Sequence, residues 1–308
     1  MTAPSTRVAA VVVHYGDAGI TRRAVASIAE DAPGISIVVV DNGGGSALSL
    51  PQARVVDAGG NRGYGAACNL GARGLTAELL LFANNDVTLL PGCLAALVAA
   101  LDSEPRAAAV GPRLLDEADA GIPSIFRDPT PRRILFENLF LPRLLPGGFF
   151  DGHHTVRIPH DAPREIETMS GALFLVRRAA FEAAGGFDEG YFFYAEESDL
   201  FARLRQAGWT VRFEPAARAR HAGGAASAAV PQARRDLWLH DGLRRYARKF
   251  HGESGERLAR VSLRAGARIR WLLSFLQPGE KGRSRRRRYA DILHARITDS
   301  SSARGGSG

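Results

Sequence analysis

Three short runs, apolar except for Ser36, constrain the fold of this 308-residue chain most strongly. The runs are residues 8–13, 35–40 and 79–82. Continuous runs of this length, rich in valine, isoleucine and leucine, are typical of strands that are buried on both faces of a parallel sheet. Helical patterns separate and follow them, at about residues 20–31, 64–75 and 92–102. This strand–helix–strand order predicts an α/β fold with a mostly parallel, Rossmann-like sheet that is flanked by helices.

Polar residues follow each of the three runs directly. They are His14 and Tyr15, Asp41 and Asn42, and Asn84, Asn85 and Asp86. Ligands of open α/β sheets bind beyond the carboxyl ends of the strands. We therefore expect these polar ends to share one edge of the sheet and to form a pocket there.

An aromatic run at residues 191–194 leads into three carboxylates, Glu196, Glu197 and Asp199. Apolar residues at helical spacing follow, and Gly208 ends the pattern. Carboxylates are favoured in the first turn of a helix, where backbone N–H groups lack partners. Capping accounts for one acid, but three acids behind four aromatic residues exceed that requirement. The segment therefore predicts a general base at a helix N-terminus.

A glycine-containing segment, residues 61–69, is predicted to open a helix after a strand. Gly63 and Gly65 would let the backbone approach a ligand, and Arg62 would face a phosphate. The spacing is neither that of a Walker loop nor that of the Rossmann fingerprint. A simple glycine-rich turn is the alternative interpretation.

The second half of the globular region has weaker signals. Residues 167–176 read as a strand in which Gly171 allows a close backbone approach, and residues 177–184 read as a helix. Residues 210–214 read as a last strand, and His221 lies just beyond it before two glycines. A lone histidine is more often structural than a ligand, but this setting also suits contact with a metal ion or a phosphate.

Residues 116–165 are rich in proline, glycine and arginine, with one apolar island at 134–141. We expect a long insertion loop with a single short helix. Loops of this length in compact domains are often functional lids, and a variable surface excursion is the alternative.

Composition describes a globular protein, with 45% hydrophobic and 23% charged residues. The two cysteines, Cys68 and Cys93, are too few for a disulfide framework and favour a reducing compartment. The N-terminus lacks the order of a signal peptide, and no apolar run approaches the roughly 20 residues that cross a bilayer. A cytoplasmic protein is expected, either free or peripheral on the inner face of the plasma membrane.

The net charge of +8 is distributed unevenly. Residues 1–230 contain 21 Lys and Arg against 25 Asp and Glu, whereas residues 231–308 contain 19 against 7. The acidic globular region, without a recognised reading motif, argues against nucleic acid as a partner. The basic tail instead predicts an anionic surface as its partner.

The tail shows two amphipathic helical stripes. The first comprises Leu239, Leu243, Tyr246 and Phe250, and the second comprises Leu258, Val261, Ile269, Leu272 and Leu276. Arginines flank the second stripe, and the run Arg283–Arg288 follows it. We expect the first stripe to pack on the globular region and the second to lie in the interface of an anionic membrane.

Taken in order, these motifs resemble the family 2 glycosyltransferases, and most of all their bacterial rhamnosyltransferase-like group. The resemblance covers about residues 7–225. It implies a GT-A fold at 1–228, with a nucleotide-sugar half at about 1–115 and an acceptor half at about 116–228. A basic helical extension would occupy 229–308, with its last residues disordered.

The resemblance also implies a reaction. It is the inverting transfer of a sugar from a nucleoside-diphosphate donor, dTDP- or UDP-linked, to a hydroxyl of a glycan or lipid-linked glycan acceptor in cell-envelope polysaccharide synthesis. The positions carried over as substrate or nucleotide contacts are His14, Tyr15, Asp41, Asn61, Arg62, Gly65, Asn84 and Gly171. Asp86 and His221 would hold Mg²⁺ or Mn²⁺, and Glu197 would be the base, with Asp199 orienting it and Glu196 able to share the role.

Two positions depart from the pattern of the family. Asn84 stands where the metal motif usually begins with Asp, and Glu197 stands where the base is usually Asp.

Two other functions remain open at this point. A nucleotidyltransferase would show a longer, basic, glycine-rich loop after the first strand, but residues 14–19 contain no Lys or Arg. The second open function is that of a non-catalytic module that binds carbohydrate or membrane.

Overall fold

The computed structural model describes residues 7–43, 48–145, 148–155, 157–223 and 230–295. The predicted disorder at the end of the tail concerns residues 296–308, which lie outside the described residues. The chain separates into two compact units. The first, here called the α/β unit, is Met1–Phe126, Ile158–Glu189 and Glu197–Ala228. The second, the helical unit, is Arg127–Arg157, Gly190–Glu196 and Ala229–Gly308.

The strands are numbered in chain order. They are β1 (Val8–His14), β2 (Ser36–Asp41), β3 (Arg54–Asp57), β4 (Leu79–Asn84), β5 (Val87–Leu89), β6 (Ala107–Leu115), β7 (Ile125–Phe126), β8 (Arg164–Glu165), β9 (Thr168–Met169), β10 (Leu173–Arg177) and β11 (Thr210–His221).

The α-helices are numbered in the same way. They are α1 (Ala18–Asp31), α2 (Tyr64–Ala72), α3 (Cys93–Asp102), α4 (Pro131–Asn138), α5 (Leu141–Leu144), α6 (Arg178–Ala183), α7 (Glu196–Gln206), α8 (Gln232–Leu273) and α9 (Gly279–His294). Short 3₁₀ turns lie at Gly148–Phe150 and Ser274–Leu276.

The main sheet of the α/β unit has the order β3-β2-β1-β4-β10-β6-β11-β5, and β8 pairs with β11 at one side. Strands β3, β2, β1 and β4 are mutually parallel, and β6 is parallel to β11. Strand β10 is antiparallel to both β4 and β6. This mixed, mostly parallel sheet with helices confirms the predicted α/β class.

Burial follows the apolar runs. All seven residues of β1 are buried, because strands lie on both sides of it and helices cover its faces. Helix α2 packs closely on this part of the sheet at Gly71. A Cβ atom at Gly71 would lie 2.5 Å from Cγ1 of Val11 and 2.8 Å from Cγ2 of Val40, so only glycine fits without displacing the helix.

Several boundaries differ from the sequence-based expectations. Strand β6 was not predicted, because its sequence Ala-Ala-Ala-Val-Gly-Pro contains few strand-favouring residues. The single strand expected at 167–176 is two strands. Of these, β9 pairs with β7 in a separate sheet, and β10 belongs to the main sheet. Strand β11 continues past a register shift between Glu214 and Arg218 and ends at His221 rather than at 214.

The long insertion loop expected at 116–165 has more regular structure than the single short helix predicted for it. This stretch contains β7, α4, α5, a 3₁₀ turn and β8. Its apolar island is structured because Ile134 of α4 is fully buried in a cluster with Leu243, Ala247, Ala259 and Leu263 of α8. The middle of the segment, Arg127–Arg157, therefore belongs to the helical unit, and the rest belongs to the α/β unit.

The tail is interrupted between its two predicted stripes. The 42-residue span of α8 consists of two helices joined by a kink at Gly252, which has φ 67° and ψ −169°. Helix α9 was not predicted as a separate element, because its sequence contains five arginines and few apolar residues. Within the described residues, none of the helices has both the length and the apolar content that crossing a bilayer requires.

Candidate active site

The register of the parallel strands gathers the polar strand ends. His14 of β1 pairs with Asp41 of β2, and Val13 pairs with Asn84 of β4. The last residues of all three strands therefore lie in adjacent rows at one edge of the sheet. Backbone pairing of the three strands therefore forms the expected edge of the pocket.

His14 is completely buried at this edge. Its Nδ1 lies 2.6 Å from Oγ1 of Thr21, and its Nε2 has no hydrogen-bond partner among the described residues. Burial lowers the pKa of His14, although Asp41 and Asp17 oppose the shift. A neutral imidazole with one unused nitrogen is suited to a hydrogen bond with a ligand. Tyr15, the next residue, is half-buried.

Two buried asparagines hold the loops at this edge, and both were quoted in the motifs without being assigned a role. Asn85 donates to the carbonyl of Tyr15 and to Oγ1 of Thr21, each at 3.1 Å. Asn42 accepts from the backbone N–H of Arg62 at 2.9 Å. Their position immediately after buried strands was the signal that could have identified them as positioning residues.

The segment before α2 carries two exposed polar side chains, those of Asn61 and Arg62. Oδ1 of Asn61 accepts from the N–H of Gly63 at 3.0 Å, and Gly63 has a positive φ of 87°. Gly65 faces Phe187, since a Cβ at Gly65 would lie 3.0 Å from the Cβ of Phe187. Close packing therefore explains the glycine at 65, whereas Arg62 projects toward solvent.

The side chains of Asp86 and His221 lie together, as expected if both contact the same metal ion. Oδ1 of Asp86 is 3.2 Å from Nε2 of His221, and the side chain of Asp86 is 2% exposed. The pairing of β5 with β11 sets this distance, because Val87 is the register partner of His221. The position of Asn84 is fixed by a backbone hydrogen bond, in which its N–H donates to the carbonyl of Ala172 at 2.8 Å.

The donor set of a carboxylate and an imidazole fits a divalent cation such as Mn²⁺. Within the described ranges, no group of three or more His, Cys, Asp or Glu side chains has a metal-binding arrangement. In the part of the chain that the structure describes, Asp86 and His221 are therefore a pair of side chains of metal-binding type and not a complete cage.

Glu197 lies in the first turn of α7 and is half-buried. The loop at Gly171 packs against it, since a Cβ at Gly171 would lie 3.6 Å from both Cβ and Cγ of Glu197. The hydroxyl of Tyr64 donates to the carbonyl of Gly171 at 2.8 Å and fixes that loop. Loss of water from the carboxylate raises the pKa of Glu197 to about 7. A carboxylate with this pKa accepts protons near neutral pH.

The two neighbouring acids have different surroundings. Asp199 is fully buried, and its Oδ2 accepts from Nε of Arg203 at 2.7 Å, one helical turn away. Arg203 also donates to the carbonyl of Ala184. This places Asp199 in an ion pair that anchors α7. Glu196 is buried at the first position of the helix and belongs to the helical unit.

The model of one protein family, described as glycosyl transferase family 2, matches residues 9–184. The chain belongs to this family. The matched segment contains the strand ends, the residues Asn84 and Asp86, and the Gly171 loop, and it ends before Glu197 and His221. The resemblance noted from the motifs is confirmed.

Relatives of known activity support the same group. An N-acetylglucosaminyl-diphospho-decaprenol L-rhamnosyltransferase from Mycobacterium tuberculosis is 32% identical over 212 residues, which cover 63% of this glycosyltransferase and 68% of the relative. A low-salt glycan biosynthesis hexosyltransferase from Haloferax volcanii is 29% identical over 177 residues, covering 55% and 53%. The rhamnosyltransferase WbbL of Escherichia coli K12 is 36% identical over 76 residues, covering 24% and 29%.

Solved structures support the fold. A mannosyltransferase from Pyrobaculum calidifontis, in complex with GDP-mannose and Mn²⁺, superposes with a TM-score of 0.54 at 16% identity, covering 95% of this glycosyltransferase and 87% of that chain. GalNAc-T7, solved with UDP, GalNAc and Mn²⁺, gives 0.52 at 17% identity, covering 70% and 44%. The fold is GT-A, with a helical C-terminal region.

The raised pKa of Glu197 predicts a titration near pH 7. The carboxyl ¹³C resonance of Glu197, assigned by its disappearance in the Glu197→Gln variant, should titrate with a midpoint of about 7 rather than near the usual 4.5. The folded state then binds this proton more tightly than the unfolded state. Wild type should therefore lose stability relative to the variant as the pH rises from about 4.5 to 7. A midpoint between 4 and 5 would contradict the assignment.

Proposed function

We propose that this glycosyltransferase moves a sugar from a nucleoside-diphosphate donor to a hydroxyl of a glycan or lipid-linked glycan, with inversion at the anomeric carbon. Glu197 carries the proposal. It is a half-buried carboxylate with a pKa of about 7, packed on the Gly171 loop of the same unit that holds the strand-end residues. A general base works best when its pKa is close to the working pH.

The donor would bind at the polar edge of the sheet. His14, Tyr15 and Asp41 would contact the nucleoside, because His14 offers a neutral Nε2 and Asp41 lies beside it in register. Asn61 and the exposed Arg62 would lie near the base or the diphosphate, and Asn84 near the sugar-nucleotide. Arginine suits this role because its planar guanidinium pairs with phosphate oxygens.

Asp86 and His221 would hold Mg²⁺ or Mn²⁺, with diphosphate oxygens and water as the remaining ligands. The ion offsets the negative charge that develops on the departing diphosphate. Support comes from the 3.2 Å contact between the two side chains and from the Mn²⁺ in both solved structures of the same fold. With Asn84 in place of a second carboxylate, the protein supplies less negative charge, which suits an ion shared with a charged diphosphate.

The acceptor step needs a proton acceptor and an in-line path. The carboxylate of Glu197 takes the proton from the acceptor hydroxyl as its oxygen bonds to the anomeric carbon. The bond from that carbon to the diphosphate oxygen breaks on the opposite face, and its electron pair leaves with the diphosphate. One displacement of this kind inverts the configuration and requires no covalent enzyme intermediate.

We infer the substrates from the relatives. The mycobacterial relative transfers L-rhamnose to a lipid-diphosphate-linked sugar according to its name, so a dTDP- or UDP-linked hexose or deoxyhexose and a lipid-linked acceptor are the first substrates to test. Such a reaction belongs to cell-envelope polysaccharide synthesis. Family membership and the retained acids disfavour both a nucleotidyltransferase and a non-catalytic module.

We also propose that the helical unit rests on an anionic membrane, at the inner face of the plasma membrane. Large apolar side chains are exposed along the second half of α8 and the turn after it. They are Leu258 (41%), Val261 (63%), Leu272 (59%), Leu273 (48%), Phe275 (55%) and Leu276 (77%). Exposed arginines alternate with them, at 257, 260, 264 and 268. Each arginine near an anionic surface contributes about 1 kcal/mol.

Asp86→Ala should remove the dependence of transfer on Mn²⁺ and lower kcat/KM by about 100-fold, since one buried metal-binding carboxylate is lost. A radiolabelled donor screen with and without Mn²⁺ measures this. Asp119→Ala is the matched control, because Asp119 is an exposed aspartate paired with Arg220. Full Mn²⁺-stimulated activity of the Asp86 variant would refute the metal assignment.

The double substitution Arg264→Glu and Arg268→Glu should lower partitioning into phosphatidylglycerol vesicles at least tenfold, because two attractions become repulsions. Co-sedimentation measures the effect, and phosphatidylcholine vesicles should retain little protein. Arg73→Glu, at an exposed arginine of the α/β unit, is the control. Equal pelleting of the double variant and the control would exclude this surface as the membrane contact.

A further inference from the structure

The helical unit contains a polar cavity of about 210 Å³. Its walls come from the end of α4, the loop at 153–154, and helices α8 and α9. Every residue that lines it belongs to the helical unit, and neither Glu197, Asp86 nor His221 is among them. The reaction described above leaves this cavity without a role.

His153 is an unpaired polar ring in the cavity wall. It is 6% exposed, and neither of its ring nitrogens has a hydrogen-bond partner among the described residues. Nδ1 lies 3.5 Å from Oε2 of Glu137, beyond good hydrogen-bonding distance. Burial lowers the pKa of His153 to about 3, so the ring is neutral at physiological pH. A buried polar group without a hydrogen-bond partner is destabilising, and an occupant of the cavity that bonds to the ring would remove that cost.

The charges around the cavity balance. Asp236 accepts two hydrogen bonds from Arg288, at 2.6 and 2.8 Å, and the two charges cancel. Glu137 is held as an acceptor by Oγ1 of Thr155 at 2.6 Å. Arg270 contributes the opposite charge and donates to Oδ1 of Asn138 at 3.2 Å.

Burial lowers the pKa of the three histidines of the lining, His153, His154 and His240, and with these imidazoles neutral the lining has no net charge. This balance disfavours both anions and cations as occupants, since the lining offers no net counter-charge to either. Among the described residues, no three or more of the His, Asp and Glu side chains that line the cavity are arranged to hold a metal ion. A neutral ligand with many hydrogen-bonding groups is the class that remains.

The remaining wall is apolar. Leu243, Leu263 and Ala267 of α8 and Ile292 of α9 are all buried there. One side of the cavity therefore offers hydrocarbon, and the other offers carboxylate, guanidinium, amide and imidazole groups. A pyranose ring has the same division between a C–H face and a rim of hydroxyls. A cavity of about 150 Å³ can hold benzene, so 210 Å³ has room for one such ring.

We propose that this cavity binds a single neutral sugar unit, seated on the Leu243–Leu263 wall with its hydroxyls on Glu137, His153 and Arg270. The proposal goes beyond the transfer reaction, because it requires neither nucleotide, metal nor acceptor turnover. The sugar would be one residue of a glycan that the enzyme holds without reacting it.

Saturation-transfer NMR and calorimetry on the full chain test this, with no donor or metal present. The ligands are the methyl glycosides of L-rhamnose, D-galactose, D-mannose and N-acetyl-D-glucosamine. At least one should bind with a Kd of about 10 mM or lower. Glu137→Gln, which keeps the shape of the side chain, and Ala267→Met, which fills the cavity without removing a polar group, should each weaken binding at least tenfold. His251→Leu, at an exposed histidine of α8, should not change it.

The proposal is overturned if none of the four glycosides binds at about 50 mM, or if a thermally stable Ala267→Met variant binds as wild type does. These outcomes are independent of catalysis. A chain that binds sugar here but transfers none would refute the transfer reaction alone, and an active enzyme with no such binding would refute the cavity alone.

Discussion

The parallel pairing of β1 with β2 and β4 is the constraint on which the site depends. The pairing places His14 beside Asp41 and Val13 beside Asn84, so three chain segments end in adjacent rows. Buried asparagines then fix the loops that leave these rows, through Asn42 to Arg62 and Asn85 to Thr21. A shift of one residue in any of these strands would turn the polar tips to the other face. The hydrophobic runs that build the core therefore also align the proposed donor site.

The proposed base, Glu197, depends on the opposite condition, since no positive side chain among the described residues compensates its charge in the way that Arg203 compensates Asp199. Asp199 is buried but is matched by Arg203, and it stabilises α7. Glu197 is partly removed from water beside the Gly171 loop, and its pKa rises to about 7. An acid with a raised pKa in the folded state weakens the fold above its usual pKa. Stability is sacrificed at Glu197 for a group that can accept a proton, as is common at active sites.

Continuous apolar runs made β1, β2 and β4 predictable, because burial on both faces leaves a pattern that needs no partner to be recognised. Strand β6 could not be found in this way. Its alanines, Gly111 and Pro112 favour a strand only because β10 and β11 flank it. The strand-end carboxylates were visible in the sequence, whereas the pairing of Asp86 with His221 required the register of β5 and β11.

The helical unit was the least predictable part. Glu137 and Asp236 lie almost 100 residues apart in the chain, and only the packing of α4 on α8 brings them to one cavity. The balance of charge there, and the unpaired ring of His153, are properties of the folded structure. The exposed apolar stripe of α8 was readable, since its period is local, but the packing of the two parts of α8 on each other across the kink at Gly252 was not.

The assignment of Glu197 as the base is tested most directly by comparing acceptor-dependent sugar transfer in wild type and Glu197→Gln, with Glu182→Gln as a control at an exposed glutamate. The account predicts that kcat for transfer falls by about 100-fold or more in the Glu197 variant while the Kd for the donor is unchanged, because the proton acceptor alone is removed. Glu197→Asp should retain part of the activity. Transfer by Glu197→Gln at the wild-type rate would contradict the account.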